Sequence, residues 1–481
     1  MNRKMVFSTT GQILLLEALM MLLPLGVSLI DGDGCWLWFL ITAAIALALG
    51  LLLVWLFRPD SQNYYAKEGF VITALAWLVL SAVGALPFVL SGQIPSYVDA
   101  FFETVSGFTT TGASILTDVE AMSRSLLFWR SFTHWVGGMG ILVLLVAVLP
   151  TVSGRSIHVL RAEMPGPTMG KLLPKLRDTA KILYTIYIVM TLVEVILLVI
   201  GGMPLFDSLV HSFGSAGTGG FGIKSDSIAG YSSYCQWVIT VFMFLFGVNF
   251  NLYFMMLIGR FRSMLKSDEL WAYVGIAVTA AILIGINIYP MYNNLADVAR
   301  LSTFQVSSIM TTTGYSTVDF DQWPELSRTI LIILMFIGAC AGSTGGGLKV
   351  SRVVLLLRTV KREFQHMLHP RSIGSVKFEG KPVENMTLVS VSTYFGLYMA
   401  LFAGILLLVS LEPMFDFTSN FSAVAACFNN IGPGLGLVGP SMSYASYSDL
   451  SKIVLSIAML LGRLELYPIL FLLSPSTWTK K

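Results

Sequence analysis

Phe101-Phe-Glu-Thr-Val-Ser-Gly-Phe-Thr-Thr-Thr-Gly-Ala-Ser114 decides the fold, because variants of it return three times along the chain. They are His211-Ser-Phe-Gly-Ser-Ala-Gly-Thr-Gly-Gly-Phe-Gly222, Gln305-Val-Ser-Ser-Ile-Met-Thr-Thr-Thr-Gly-Tyr-Ser316 and Ala423-Val-Ala-Ala-Cys-Phe-Asn-Asn-Ile-Gly-Pro-Gly434. Laid over one another on a shared glycine, they coincide at Gly112, Gly220, Gly314 and Gly432, at separations of 108, 94 and 118 residues. Each copy lies between two long apolar stretches. Each follows a moderately apolar run of roughly three turns, too short to cross a bilayer. A helix that dips into the membrane and returns as an extended loop has this pattern, and its recurrence predicts one structural unit used four times.

The flanking stretches set the class. Of 481 residues, 55% are hydrophobic and 12% charged, and mean hydropathy is +0.76. Soluble domains carry roughly 25% charged residues, so a water-soluble fold would lack polar surface to cover its core. A bilayer core of about 30 Å takes about 20 apolar residues in a helix. Ten runs meet that length: Ile13–Ile30, Cys35–Phe57, Phe70–Leu90, Leu126–Pro150, Ile182–Met203, Trp237–Gly259, Leu270–Pro290, Thr329–Val350, Leu388–Leu411 and Ile453–Leu473. Arg3 and Lys4 imitate a leader, but the run after them is long and a second follows at once, so it is expected to stay as an anchor.

The predicted fold is an all-α integral membrane protein. Four tandem helix–pore-loop–helix repeats surround a pseudo-fourfold pore, and two extra transmembrane helices precede them. The boundaries read as 1–68 for the N-terminal pair, then repeats at 69–150, 179–269, 270–358 and 386–481. Basic, polar segments 151–178 and 359–385 read as cytoplasmic linkers.

Charge fixes the orientation. With the N-terminus inside, most of the 30 Lys and Arg fall in inner segments, and only Arg124, Lys224, Arg300, Arg328 and Lys452 in outer ones. The positive-inside rule then puts both termini in the cytoplasm. The outer segments are acidic (Asp31, Asp99, Glu103, Asp207, Asp321 and others), and such a mouth concentrates cations. Cys35, Cys235, Cys340 and Cys427 have no metal-ligand spacing. Cys35 and Cys235 both fall near the outer face, where a disulfide is possible. No pattern nominates a catalytic nucleophile or base, so the chain reads as no enzyme.

Non-helical backbone at membrane depth must be buried in protein or line water. Four such loops meeting on one axis present carbonyl oxygens that replace a cation's hydration shell. Glycine reaches the dihedrals that turn successive carbonyls inward, and Thr109–Thr111 and Thr311–Thr313 add stiff, hydroxyl-bearing support. The short helices aim their negative C-terminal ends at the ion.

The run SGFTTTGAS, AGTGGFG, MTTTGYS and FNNIGPGLG resembles the Trk/Ktr/HKT superfamily of potassium transporters. The two extra N-terminal helices and the length resemble its bacterial Trk membrane subunits. HWVGGMG at His134–Gly140, GVNFNLYF at Gly247–Phe254, GSTGGGLKVSR at Gly342–Arg352 and GRLELYP at Gly462–Pro468 belong to the same resemblance. It implies K⁺ uptake across a bacterial inner membrane, with K⁺ the transported ion and no organic cofactor. The implied filter positions are Thr110, Thr111 and Gly112; Thr218, Gly219 and Gly220; Thr312, Thr313 and Gly314; and Asn430, Ile431 and Gly432. It also implies a homodimer with one pore per protomer, and a separate cytosolic nucleotide-binding ring of TrkA type; the basic inner loops are its candidate dock, with topology alone the other reason for their charge.

A gate is expected beneath the filter. Gly342, Ser343, Thr344, Gly345, Gly346 and Gly347 interrupt a span and fail the phosphate-loop pattern, since Leu348 stands where it needs Lys. Glycine at this density breaks a helix, which the resemblance makes a gating loop; close packing of small residues is the alternative. Lys349 and Arg463 are charges within spans, expensive unless they face a cavity or a partner. The resemblance projects Arg463 into the pore, whereas pairing with an acid such as Glu194 is the structural alternative. Arg130 and His134 read as links between helices. A Na⁺- or H⁺-coupled secondary transporter is the second functional reading. Parallel repeats favour a single axial pore over the inverted repeats common in transporters.

Overall fold

The computed structural model describes residues 1–58, 66–140, 176–371 and 374–478. Much of the expected linker 151–178 and the end of the expected span Leu126–Pro150 lie outside them. The described chain is mostly helical, and its only strands among the described residues are a two-residue hairpin pairing Lys377–Phe378 with Lys381–Pro382.

Helices Arg3–Met20 (α1) and Leu22–Asp31 (α2) run on through Met21, and Trp36–Leu56 (α3) returns antiparallel to them. Gly11 and Gly50 let the two backbones touch: a Cβ on either would meet the other's carbonyl oxygen within 3.0 Å. Small residues at a crossing are how apolar helices pack without hydrophobic drive from water. Next come Ala66–Gly84 (α4), Leu86–Leu90 (α5), Tyr97–Phe108 (α6) and Arg124–Met139 (α7). The second set is Leu176–Ile200 (α8), Leu205–Gly217 (α9), Ser233–Phe246 (α10) and Phe250–Leu257 (α11). The third is Asp268–Tyr292 (α12), Leu295–Met310 (α13), Glu325–Ile337 (α14) and Val350–Leu368 (α15). The fourth is Asn385–Val409 (α16), Phe417–Phe428 (α17), Asp449–Arg463 (α18) and Tyr467–Leu473 (α19).

Six described helices are long and apolar enough to cross a bilayer: 3–31, 36–56, 67–90, 178–200, 268–292 and 385–409. The expectation of ten continuous spans needs correction. The stretches after the four loops are broken, and the sequence pointed to only one of the breaks. α7 stops at Gly140, which takes φ 83. α10 and α11 are bent by 90° across Gly247–Asn249. α14 and α15 are parted by Gly338–Lys349. α18 ends before Glu465 and Leu466, at φ 55 and 68. The fourth break is invisible to composition because tertiary contacts, not glycine, hold those two left-handed residues; each costs about 1–3 kcal/mol.

The long helices turn Leu and Ile outward, for example Ile286, Leu407 and Leu51. The short helices α6, α9, α13 and α17 are surrounded instead: from Ala100 to Phe108 and from Ser419 to Phe428, all but Phe101 and Phe421 are buried. That explains their mixed Ser, Thr, Gly and Ala composition. Small side chains let a central helix be packed on every face.

Candidate ion-conduction site

The four short helices end alike. At the first, Thr110 N–H donates to Gly107 O at 3.1 Å and Thr111 N–H to Ser106 O at 2.8 Å. Thr218 and Gly219, Thr312 and Thr313, and Asn430 and Ile431 repeat both bonds on their own helices. This is the Schellman cap, which needs a left-handed residue. That residue is usually glycine, yet here it is Thr110 (φ 55), Thr218 (φ 56), Thr312 (φ 60) and Asn430 (φ 57). Two positions on, Gly112, Gly220, Gly314 and Gly432 take φ 79, 76, 85 and 99. Left-handed residues thus alternate with Thr111, Gly219, Thr313 and Ile431, a backbone that turns successive carbonyls to one side.

The loops close into a ring in chain order. A Cβ on Gly112 would overlap the carbonyl oxygen of Gly219, on Gly220 that of Thr313, on Gly314 that of Ile431, and on Gly432 that of Thr111, all within 3.0 Å. All twelve residues expected at the filter therefore come together, and each glycine is required both by its φ and by the neighbouring loop. Thr109 Oγ1 donates to Val105 O at 2.6 Å and accepts from Thr111 Oγ1 at 2.8 Å; Thr311 and Thr313 repeat this. The hydroxyls of Thr111 and Thr313 are thereby turned back as support. The buried Thr110 Oγ1 and Asn430 Oδ1 meet no hydrogen-bond partner among the described residues.

On one side of the ring, Gly112, Gly220, Gly314 and Gly432 floor a vestibule of about 310 Å³. On the other side, all four helix breaks meet a cavity of about 50 Å³, lined by Gly140, Phe250, Gly342, Gly346, Lys349, Gly462 and Arg463 among others. The Gly-rich loop presses on the ring from this side. Gly346 N–H donates to Thr312 Oγ1 at 2.6 Å, and a Cβ on Gly346 would lie 2.5 Å from Asn429 O. Lys349 Nζ donates to Gly345 O inside the loop. Arg463 lines the cavity and bridges its walls: it donates to Thr344 O at 2.7 Å, Gly137 O at 2.6 Å and Gly138 O at 2.7 Å. The pairing with Glu194 is not formed: neither Glu194 oxygen takes a hydrogen bond from Arg463.

Several functional contacts were not legible in the sequence. Glu269 accepts from Ala341 N at 2.7 Å and Ser351 N at 3.2 Å, clamping both ends of the Gly-rich loop. Arg352, one of the inner-segment bases, is buried against Glu465 and over the Tyr394 ring. His134 joins the first two loops: Nε2 accepts from Phe221 N–H at 3.3 Å, so Nδ1 donates to Gly107 O at 2.8 Å. Arg130 pairs with Glu103 and donates to Gly222 O at 2.9 Å.

The acids of the outer segments are partly ion-paired and do not line the vestibule. Glu103 is buried with Arg130, while Asp99, Asp31, Asp297 and Asp321 pair with Lys452, Arg124, Arg300 and Arg328. The charged residues lining the vestibule are Arg130 and Lys224. Asp33, at the turn before α3, stays below the usual carboxylate range: burial opposes ionisation, but hydrogen bonds from Ser125, Ser28 and the Cys35 amide outweigh it. Cys35 and Cys235 are free; the first thiol faces Ser123 Oγ at 3.3 Å and the second Gly201 O at 3.6 Å.

The TrkH family of cation transport proteins matches residues 38–270 and 264–480. The chain belongs to the TrkH family. Among curated TrkH relatives, "Trk system potassium uptake protein TrkH" of Salmonella typhimurium strain LT2 is 36% identical over 485 residues, covering 99% of this chain and 100% of the relative. "Trk system potassium uptake protein TrkG" of Escherichia coli K12 is 33% identical, covering 99% and 98%. The crystal structure of the potassium transporter TrkH from Vibrio parahaemolyticus superposes with a TM-score of 0.89 at 33% identity, covering all of both chains. This TrkH-family chain is accordingly an all-α, multi-pass membrane protein.

Proposed function

We propose that the chain is a potassium uptake subunit whose four loops form a K⁺ selectivity filter. One observation carries this reading: the closed ring in which each loop's glycine is pressed against the next loop's carbonyl. K⁺ sheds water only if carbonyl oxygens replace it. The alternating left-handed residues turn the carbonyls of Thr110, Thr111, Gly112 and their counterparts in the other loops toward the axis. Relatives that carry the name of potassium uptake proteins along their whole length support the same ion.

The gate of this reading is the loop Gly342–Gly347 with Lys349 and Arg463, closing the cavity below the ring. Ions enter from the vestibule, read as the outer face, and leave toward a cytoplasm that holds both termini. The membrane is the bacterial inner membrane, the subunit works as a homodimer, and a cytosolic nucleotide-binding ring moves the gate. Carbonyl substitution, not acid–base chemistry, does the work, so the chain is a transporter and no enzyme.

Purified protein in vesicles tests this. K⁺ and Rb⁺ should enter down their own gradients with no Na⁺ or H⁺ gradient supplied, and Na⁺ should enter more slowly. Flux that requires a Na⁺ or H⁺ gradient would replace the pore with a coupled symporter.

A further inference from the structure

The ring has four seams, and side chains brace them unequally. His134 spans the first, and Asn430 Nδ2 crosses from the fourth loop to Thr111 Oγ1 at 3.0 Å. At the seam between the second and third loops, the second offers only Gly219 and Gly220 at the ring itself; farther along the chain Ser316 N–H donates to Ser227 Oγ at 3.3 Å and Ile228 N–H to Ser316 O at 3.0 Å. The bridge comes from the residue after the third ring glycine. Tyr315 is fully buried, and its hydroxyl lies 3.2 Å from His211 O, 3.3 Å from Phe221 O and 3.3 Å from His211 Nδ1. Phe221 directly follows Gly220, so this hydroxyl touches the second loop one residue from its ring position.

We propose that Tyr315 is a specificity-determining post: its hydroxyl, seated on His211 and Phe221, sets the width of this seam and so the discrimination of K⁺ against Na⁺. The inference rests on the filter reading above.

Tyr315 is pinned at both ends. Ser308 Oγ donates to its carbonyl at 2.6 Å, fixing the backbone to the third loop's own helix. Its ring abuts α9 at Gly214, where a Cβ would overlap the hydroxyl. The seat is itself held. Tyr231 OH donates to Asp207 Oδ2 at 2.8 Å, so its oxygen accepts from His211 Nε2, 3.2 Å away. His211 is then protonated on Nε2, and its Nδ1 is left as an acceptor facing Tyr315. A chain of polar contacts thus runs Asp207–Tyr231–His211–Tyr315 from the second loop's flank to the third ring glycine. K⁺ and Na⁺ differ in radius by only a few tenths of an ångström, so a filter discriminates only while its carbonyls are kept from closing on the smaller ion. With two bare glycines in the second loop, the phenol braces this seam beside the ring, inside the Ser316 contacts to Ser227 and Ile228.

The test uses full-length protein in vesicles and compares K⁺ with Na⁺ influx. Tyr315→Phe keeps the ring and removes the hydroxyl. The K⁺/Na⁺ flux ratio should fall by about 2- to 10-fold, the factor equivalent to one net hydrogen bond, chiefly because Na⁺ flux rises. Tyr231→Phe, which leaves Tyr315 intact and cuts the chain behind His211, should move the ratio the same way by a smaller factor and serves if Tyr315→Phe accumulates poorly. An unchanged ratio in the folded variant, or K⁺ and Na⁺ fluxes falling together, overturns the inference. Wild-type protein with no preference for K⁺ would overturn the filter reading as well. Wild-type preference retained in the variant overturns this inference alone.

Discussion

Gly314 combines two constraints that separate most substitutions from function. Its φ of 85 excludes ordinary side chains, and a Cβ would overlap Ile431 O. Backbone cannot swing aside as a flexible side chain would, so the ring must distort. Gly314→Ser should abolish K⁺ flux or its selectivity while the protein still inserts, and Gly112→Ser should behave alike. Unaltered selectivity in either variant, measured by ion competition, would remove these glycines from the filter. Arg463 makes a second prediction at this scale. Its three carbonyl bonds span the Gly-rich loop and the end of α7, each worth about 1 kcal/mol or more for a charged donor. It also sets a positive charge in the cavity below the ring. Arg463→Ala should therefore raise K⁺ influx per folded molecule by about fivefold or more, with selectivity nearly unchanged. Equal or lower influx, normalised to folded protein, would mean that Arg463 only holds the fold.

In the proposed reading, the helix break at 342–347 is the element on which gating turns. Gly345 and Gly346 lie flat under the ring, and added Cβ atoms would meet Thr311 O at 2.8 Å and Asn429 O at 2.5 Å. Alanine also favours helix over glycine by about 1 kcal/mol per residue. Replacing Gly345, Gly346 and Gly347 with alanine should push the loop off the ring and shift the open–closed balance by a few kcal/mol. The structure supplies a direction the sequence lacked: toward open. Single-channel recording decides: an unchanged open probability would discard the loop as a gate, and a lower one would overturn the direction. The four Schellman caps belong to this scale too. The sequence marks the ring glycines but not the left-handed residues two positions earlier, because Thr at such a site runs against its own propensity. Only the surrounding helices make that conformation the cheaper one.

At the scale of the molecule, the N-terminal pair α1–α3 is packed on the repeats through a polar fault. Both carboxylate oxygens of Glu17 are buried without a hydrogen-bond partner among the described residues, and one lies beside Gly84 near the first short helix. An unsatisfied buried polar group costs about 1–3 kcal/mol. Glu17→Leu should raise the thermal unfolding midpoint in detergent without altering ion selectivity. A lower midpoint would show that the site needs its carboxyl group.

What the sequence by itself determined is what depends on local pattern. Apolar runs of bilayer length set the membrane class, four glycine-centred copies set the loops of the ring, and the glycines of 342–347 set one break. These signals lie within a few turns of chain, so composition and spacing carry them. Tertiary structure alone decided which residues meet across the repeats. It joined Gly314 to Ile431, Tyr315 to His211, Arg463 to Gly137 and Glu269 to the ends of the Gly-rich loop. It also placed the breaks at Gly140 and Glu465, and it paired Glu103 and Arg352 out of the solvated charge. Those outcomes are set by free energies shared between segments far apart in sequence. A left-handed threonine or a buried carboxylate is unfavourable alone and becomes stable only when a partner from another repeat supplies the missing bond.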